Sequence, residues 1–200
     1  MKPFLTIGLA KGYLLKDSLD FFKKHDIEPE DYSGRQLIFF DRKKKVRFMI
    51  LRPTDVPVYV ESGVVDMGIA GLDIVRECRP EVIILKDLGF GKCRLVIATS
   101  SQTPHPEFAN GLKVATKFVS CAQDYFKGLG LKVDLIKLYG SVELAAITGL
   151  SDVVVDLVAT GQTLKENGLS EVGTIFESTA QLIVNPVYYS LNYSLVKDFS

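Results

Sequence analysis

Segments that favour strands and segments that favour helices alternate along almost the whole chain, and this alternation constrains the fold most strongly. Residues 4–9 form an apolar run that predicts a strand. Residues 14–24 predict a helix in which Leu15, Leu19 and Phe22 share one face. Further strands are predicted at 37–40, 46–51, 65–71, 82–88, 94–99, 113–115, 132–138, 153–155 and 176–184, and further helices at 56–62, 72–78, 120–129 and 142–147. Strands separated by helices of this length indicate an α/β fold with mainly parallel pairing.

The length of 200 residues suits one large domain or two small ones. The sequence contains no repeat and no low-complexity linker, so the division into halves is inferred from the order of the elements. We expect a first α/β lobe of residues 1–92 plus 174–200 and a second α/β lobe of residues 93–173. In this arrangement the C-terminal segment returns to the first lobe.

The charge balance and the apolar pattern exclude several classes of function. Lys and Arg number 24, as do Asp and Glu, so the chain lacks the basic excess of a typical nucleic-acid binder. No window approaches the roughly eighteen apolar residues of a membrane span, and the first apolar run is too short for a signal peptide. Three cysteines, Cys78, Cys93 and Cys121, fit buried thiols in a reducing compartment, which predicts a cytoplasmic protein. The two histidines, His25 and His105, lie in unrelated contexts and argue against a zinc site.

The segment 153–164 carries the clearest chemical signal. Its β-branched run at 153–155 predicts a buried strand, and Asp156 follows this run directly. The turn TGQT at 160–163 then offers two hydroxyls and free backbone amides before a helix that ends at Gly168, and such a turn suits an anion. Asp156 is placed to accept hydrogen bonds from ribose hydroxyls. The alternative is an ordinary strand–turn–helix unit with a capping threonine, but the strand and the acid together favour a sugar-phosphate site.

Other predicted strands also end in polar or glycine-rich turns. In open α/β sheets, ligands bind beyond the carboxyl ends of the strands. The turns in question contain Lys11, Arg52, the pair Gly71 and Asp73, and Glu143. A cleft between two lobes would bring cationic turns opposite the turn at 160–163, which suits two polyanionic substrates.

Each of these residues also has a purely structural explanation. Arg52 could pair with Asp55 at the surface, a contact worth only about 0–1 kcal/mol. Lys11 could be a solvated turn residue, and Arg35 could extend its aliphatic stem over the sheet. The remaining candidates could serve only turns or helix ends, and they are Gly71, Asp73 and Glu143.

In its motifs the sequence resembles the short form of the ATP phosphoribosyltransferase family, which begins histidine biosynthesis. The resemblance covers residues 4–185. It is carried by KG at 11–12, LRPTDVPVYVE at 51–61, DMGIAGLD at 66–73, DLGFGKCR at 87–94, ATK at 115–117, KLYGSVELA at 137–145, and the loop that continues to NGL at 167–169. The resemblance implies two α/β lobes like those of type II periplasmic binding proteins, with the active site in the cleft between the lobes.

The resemblance also implies a reaction. Members of the family transfer the phosphoribosyl group from phosphoribosyl pyrophosphate to N1 of ATP and release pyrophosphate. Mg²⁺ is the implied cofactor, held mainly by the substrate. The residues implied to bind phosphoribosyl pyrophosphate are Asp156, Thr160, Gly161, Gln162, Thr163 and Leu164. Those implied to bind ATP, in the first lobe, are Lys11, Arg35, Arg52, Gly71 and Asp73, and the implied catalytic residues are Asp156, Glu143 and Arg52.

Partners are implied in the same way. The short form depends on a second subunit that resembles histidyl-tRNA synthetase and supplies activation and feedback inhibition by histidine. We therefore expect a homodimer within a hetero-oligomer, with neither nucleic acid nor membrane as a partner.

Two positions depart from related patterns. The family usually has arginine after the Lys-Gly pair, where this chain has Tyr13. Phosphoribosyltransferases of the other common fold place two acids before a TGxT loop, and Val155 fills the first of these places. Asp156 must then act alone or together with Glu143. Two alternative functions are a solute-binding module of the same two-lobed architecture and a phosphoribosyltransferase that acts on another base.

Overall fold

The structure is a computed structural model that describes residues 4–30, 32, 34–102 and 106–199. Residue contacts divide the chain into two compact units. The first unit comprises Met1–Gly91 and Thr179–Ser200, and the second comprises Lys92–Ser178. The boundaries expected from the sequence fell after residues 92 and 173. The later boundary in the structure reflects a strand that stays paired within the second unit up to Ser178.

Strands and helices alternate through most of the chain, as the sequence predicts. In chain order they are β1 (Leu5–Ala10), α1 (Leu15–Lys24), β2 (Ile38–Phe40), β3 (Val46–Leu51), α2 (Asp55–Glu61), β4 (Met67–Gly71), α3 (Leu72–Cys78), β5 (Ile83–Asp87), β6 (Cys93–Ser100), β7 (Lys113–Thr116), α4 (Val119–Gly128), β8 (Asp134–Lys137), α5 (Glu143–Ile147), β9 (Val153–Val158), α6 (Gln162–Glu166), β10 (Leu169–Ser178), β11 (Ala180–Val184), α7 (Pro186–Leu191) and α8 (Tyr193–Val196), followed by a 3₁₀ turn at Lys197–Phe199.

Each unit contains one mixed sheet. The first sheet has the strand order β2-β3-β1-β4-β11-β5, and the second has the order β10-β6-β9-β7-β8. The parallel pairs are β1 with β3, β1 with β4, β7 with β8, and β7 with β9. The other five pairs are antiparallel, so the prediction of mainly parallel pairing was wrong. The antiparallel pairs arise because β2 and β11 in the first sheet and β6 in the second sheet run opposite to their neighbours.

The predicted final strand at 176–184 is two strands in the structure. β10 pairs with β6 in the second unit, whereas β11 pairs with β4 and β5 in the first. Thr179 separates the two strands, and its hydroxyl donates to both carboxylate oxygens of Asp87 at 2.8 Å. No glycine or proline within 176–184 marks this change of partner, and strand propensity does not specify which sheet a strand joins.

The basic segment at 41–45 connects the predicted strands at 37–40 and 46–51 and forms the tip of the antiparallel β2–β3 hairpin. Asp41 is buried, and its Oδ1 accepts hydrogen bonds from the backbone amides of Lys45 and Val46, both at 2.7 Å. Lys44 adopts a φ of +55° and forms an ion pair with Glu30. The carboxylate therefore organises the turn, while the lysine side chains lie in solvent.

Helix α2 begins at Asp55, one residue before its predicted start, and has no side-chain cap. Thr54 occupies the N-cap position and makes no side-chain hydrogen bond to the helix backbone. Its hydroxyl instead donates to Oδ1 of Asp55 at 3.2 Å. Pro57 lies in the first turn and is buried, in the region where a helix tolerates proline.

The three cysteines are free but differ in exposure. Cys121 is buried, Cys93 is half-buried and Cys78 is exposed, so the expectation of buried thiols was wrong for Cys78. Cys78 is the last residue of the short helix α3, which explains its exposure. His105 lies outside the described residues. No helix within the described part of the chain has the length and apolar character needed to cross a membrane.

Candidate active site

A cavity of about 200 Å³ in the second unit contains most of the residues that the sequence singled out there. It is lined by Glu143, Asp156, Leu157, Val158, Ala159, Thr160, Gly161, Thr163 and Leu164. It is formed by the end of β9, the turn that follows this strand, the first turn of α6 and the first residue of α5. The predicted acid, the predicted turn and Glu143 therefore share one concave surface.

Strand β9 is longer than predicted and places Asp156 inside the strand. Its antiparallel pairing with β6 continues through Asp156 to Val158, opposite Val96 and Arg94. On the other edge, pairing with the parallel strand β7 stops at Val155. Beyond Val155 the β7 edge is therefore open, and the Asp156 side chain lies beside this opening with 16% of its surface exposed.

Lys117 contacts Asp156 from the turn that follows β7. Its Nζ lies 3.3 Å from Oδ1 of Asp156 and 5.1 Å from the ring centre of Phe118. The pairing of β7 with β9 explains this contact, because Thr116 is in register with Val155 and the next residues along both strands are neighbours. Lys117 was part of a recognised motif but was not predicted as a site residue. The signal was its position directly after a strand, in the same place as the predicted turn residues.

The turn after β9 requires glycine at one position. Gly161 has a φ of +82°, a left-handed conformation that is costly for residues with a Cβ. The hydroxyl oxygen of Thr160 accepts a hydrogen bond from the backbone amide of Gln162 at 3.4 Å. Gly161 is also the N-cap residue of α6, so the amides of the first helical turn follow it without earlier carbonyl partners in the helix.

Two side chains at the start of α6 are engaged within the protein. Leu164 is buried in the core beneath α6, so only its backbone is available to a ligand. The side-chain amide of Gln162 donates to Oε1 of Glu166 at 2.7 Å, a contact between side chains one helical turn apart. The helix begins two residues earlier than the turn 160–163 suggested, and it ends before Gly168, which has a φ of +66°.

In the first unit, Lys11 and Arg52 follow adjacent parallel strands. Ala10 is in register with Leu51, and the Lys11 amide donates to the Leu51 carbonyl at 2.8 Å. Both cationic side chains are exposed and lie beyond the carboxyl ends of β1 and β3. Arg35 is exposed and precedes β2, whose antiparallel pairing with β3 brings its start to the same edge.

Gly71 and Asp73 reach the same edge but are buried. Gly71 ends β4 and is the N-cap of α3, and Asp73 is only 2% exposed. A Cβ on Gly71 would overlap the carboxylate of Asp73, so the absence of a side chain allows that carboxylate to pack over the start of the helix. Of the five residues predicted for ATP, three therefore present accessible side chains.

The walls of a separate groove in the first unit contain none of the predicted site residues. It has a volume of about 970 Å³. Leu5 and Val46, which begin β1 and β3, contribute to its walls together with side chains of the C-terminal helices. The groove is thus at the amino ends of the strands, opposite the edge where ligands of α/β sheets bind.

Comparison with known proteins agrees with the predicted family. The HisG family model, ATP phosphoribosyltransferase, matches residues 52–200. An ATP phosphoribosyltransferase from Crocosphaera subtropica is 48% identical over 203 residues, which cover 98% of this chain and 95% of the relative. Another from Thermosynechococcus vestitus is 47% identical over 194 residues, which cover 94% of this chain and 92% of the relative.

Solved structures show the same similarity at the level of the fold. A chain of the ATP phosphoribosyl transferase (HisG:HisZ) complex from Thermotoga maritima matches with a TM-score of 0.84 at 34% identity, over 98% of this chain and 94% of that one. The periplasmic aliphatic sulphonate binding protein SsuA from Escherichia coli matches with a TM-score of 0.63 at 15% identity, over 99% of this chain and 70% of that one. The second similarity concerns the fold alone, and it confirms the predicted periplasmic-binding-protein-like architecture.

Proposed function

Because the chain belongs to the ATP phosphoribosyltransferase family, we propose that its second unit binds phosphoribosyl pyrophosphate through Asp156 and the turn 160–163. In this proposal Asp156 accepts hydrogen bonds from the ribose hydroxyls. Thr160, Thr163 and the backbone amides around Gly161 bind the 5′-phosphate. The reaction is the transfer of the phosphoribosyl group to N1 of ATP, with release of pyrophosphate, at the start of histidine biosynthesis.

The observation that carries this proposal is the cavity of about 200 Å³ in the second unit. Its lining includes the two acidic residues Asp156 and Glu143 together with the hydroxyl-bearing and glycine residues of the turn. Hydroxyls and amides donate to phosphate oxygens, whereas carboxylates accept from sugar hydroxyls. A pentose phosphate has both kinds of group, so the lining of the cavity matches its chemistry.

The first unit supplies the cations of the proposed ATP site. Lys11, Arg35 and Arg52 lie at the carboxyl edge of the first sheet, where ligands of this architecture bind. Arginine and lysine side chains recognise phosphate oxygens, and arginine can do so with two parallel hydrogen bonds. Gly71 and Asp73 are proposed to shape this edge from below, since both are buried.

The proposed chemistry is a displacement at the anomeric carbon of the ribose. N1 of adenine carries no proton at neutral pH, so the step needs no general base. Rate acceleration then comes from holding the two substrates in line and from neutralising charge. Arg52 would stabilise the developing negative charge, and the carboxylates of Asp156 and Glu143 would favour the positive charge that develops on the sugar ring.

Mg²⁺ fits the proposed site as a cation held mainly by substrate oxygens. The ion prefers oxygen ligands and retains several waters, so it rarely needs a full set of protein ligands. Asp156 and Glu143 give the cavity the negative charge that favours a cation beside the sugar. In the described part of the chain, no cluster of three or more His, Cys, Asp or Glu residues could hold a metal ion. When bound, the metal would neutralise part of the charge on the pyrophosphate.

We also propose that the chain acts with a regulatory subunit similar to histidyl-tRNA synthetase. The structurally similar chain from Thermotoga maritima comes from a HisG:HisZ complex, and it resembles this chain over nearly the full length of both. The reaction would take place in the cytoplasm, where ATP is available. Homodimers within a hetero-oligomer remain the expected assembly.

The direct test measures pyrophosphate release when the chain is mixed with its partner, Mg²⁺, ATP and phosphoribosyl pyrophosphate. We expect release to require both substrates, and Asp156→Asn to lower kcat/KM for phosphoribosyl pyrophosphate by about 100-fold or more. Asp134→Asn is a matched control, because Asp134 is an exposed carboxylate at the start of β8 in the same unit. Equal activity of the two variants would refute the role of Asp156.

A further inference from the structure

We infer that Lys117 is a positioning residue that holds the Asp156 carboxylate in the orientation required for the ribose. This inference rests on the proposed function of the cavity in the second unit. The Lys117 Nζ lies 3.3 Å from Oδ1 of Asp156, and the contact joins the turn after β7 to the neighbouring strand β9. Lys117 acts through Asp156 and is not itself assigned a contact with the substrate.

The Asp156 carboxylate needs a positive partner from its surroundings. Its Oδ1 atom is buried and accepts no hydrogen bond from the residues that the structure describes. A buried charged oxygen without a compensating group is costly, and the carboxylate would rotate towards solvent to avoid this cost. The other ionisable residue among those lining the cavity is Glu143, whose charge has the same sign. The positive charge of Lys117 therefore offsets the cost of burying the Asp156 carboxylate and the repulsion between this carboxylate and Glu143.

The Thr116 side chain connects the two backbone segments that carry Lys117 and Asp156. Its hydroxyl donates to the Val155 carbonyl at 2.7 Å and accepts from the Phe118 amide at 2.8 Å. These two bonds connect the residue before Asp156 to the residue after Lys117, and Thr116 itself is fully buried. The main chains of the two charged residues are thus connected through a rigid, buried hydroxyl, while the outer part of the lysine remains 44% exposed.

The exposure of Lys117 separates this role from a purely structural one. A half-exposed ion pair adds little to folding stability, since solvent screens it. Loss of the ammonium should therefore affect the orientation of Asp156 more than the fold. A small displacement of a group that positions the substrate can cost a large factor in rate.

The test compares Lys117→Met with Lys117→Arg in the complex with the regulatory partner. We expect Lys117→Met to lower kcat/KM for phosphoribosyl pyrophosphate on the order of tenfold to 100-fold, with KM for ATP unchanged. Lys117→Arg should restore most of the loss because it keeps the charge beside Asp156. Lys113→Met is the control, since Lys113 is an exposed lysine at the other end of the same strand. Unchanged kinetics in Lys117→Met, or equal losses in the Met and Arg variants, would overturn the inference.

A second measurement keeps the inference testable without activity. The dissociation constants of phosphoribosyl pyrophosphate for Lys117→Met, Asp156→Asn and the double variant, measured by calorimetric titration, form a double-mutant cycle. If Lys117 acts through Asp156, the double variant binds about as weakly as Asp156→Asn alone, whereas additive losses of affinity would contradict the inference. An enzyme that turns over neither substrate would refute the proposed function, whereas a normal wild type with a normal Lys117→Met variant would refute only the role of Lys117.

Discussion

The hydrophobic core of the first unit and the core beside the cavity of the second unit are built from different side chains. In the first unit, Phe22 contacts both Phe48 and Phe199, with ring centres 5.9 and 6.0 Å apart, and Phe39 stacks on Phe48 at 5.0 Å. In the second unit, the cluster beneath α5 and α6 consists of valine, alanine and leucine. Large rings fill the space between helix and sheet in one case, and small side chains do so in the other.

This difference follows the chemistry of the two sheet edges. Small side chains allow the short helices α5 and α6 to lie close to β9, so their first residues reach over the strand and close a cavity around Asp156. The first unit offers an open edge with exposed Lys11 and Arg52 instead. We conclude that the core around Phe22 is built on aromatic packing, whereas the cluster beside the cavity uses small side chains. Elsewhere the second unit also buries aromatic rings, those of Phe118 and Phe126.

The largest expected effect concerns the aromatic core. Phe22→Ala should destabilise the protein by about 3–5 kcal/mol, because Phe22 is fully buried and contacts two other rings. Urea unfolding, monitored by far-UV circular dichroism, measures the change. The matched substitution in the second unit is Val154→Ala, which removes two methyl groups from a fully buried position and should cost only about 2 kcal/mol. Equal losses of unfolding free energy in the two variants would contradict the expected energetic difference between the two cores.

The next effect isolates the turn of the second unit. Gly161→Ala and Gly168→Ala should each cost about 1–2 kcal/mol, since the two residues have φ values of +82° and +66° with no close neighbours around a new Cβ. Only Gly161 lies in the proposed phosphate turn, so only Gly161→Ala should also lower kcat/KM for phosphoribosyl pyrophosphate, by about 100-fold. Steady-state kinetics with both variants distinguishes function from strain. Equal activity losses would assign the effect of Gly161 to backbone strain alone.

The elements of the fold could largely be predicted because periodicity and turn residues are local properties. The β2–β3 hairpin is an example, since the Asp41 carboxylate organises the tip by accepting hydrogen bonds from the backbone amides of Lys43, Lys45 and Val46. The partners of β10 and β11 could not be predicted. Their pairing joins residues far apart in sequence, such as Ser178 with Cys93, and no local pattern specifies that choice.

The candidate site shows the same division between local and non-local information. The turn 160–163 and Asp156 lie in one segment, and their residue types alone indicated an anion site. Lys117 is 39 positions away from Asp156, and only the register of β7 with β9 brings the two together. The sequence contained the residue and its place after a strand, but the order of strands in the sheet was needed to identify its partner.

A smaller effect is expected at the cationic edge of the first unit. Arg52→Ala should weaken the binding of ATP by about tenfold, because it removes charge-assisted hydrogen bonds. The binding of phosphoribosyl pyrophosphate should be nearly unchanged. Calorimetric titration with each substrate measures the two affinities. Arg42→Ala provides the control, since Arg42 is exposed on the β2–β3 hairpin and pairs with Glu28. Equal weakening of both substrates by Arg52→Ala would show that the two sheet edges do not divide the substrates between them.

The smallest expected effect at neutral pH concerns Tyr188, which lies in helix α7 of the first unit. Burial, with a smaller contribution from the Asp66 carboxylate, raises the pKa of Tyr188 to about 12. The ordinary value for an unfolded chain is about 10, so the folded state favours the neutral phenol. This contribution to stability is complete below about pH 10 and is lost as the pH rises through about 12. Tyr188→Phe should therefore match the wild type at pH 7 and exceed its stability between these values.

Tyr139→Phe in the second unit, where the ring is 88% exposed, should follow the wild-type profile throughout, because that ring is in solvent in both states. The urea midpoints of the three proteins are measured from pH 7 to 12. Identical alkaline profiles for the two variants would show that the Tyr188 phenol is not buried by the packing of α7 on the first unit.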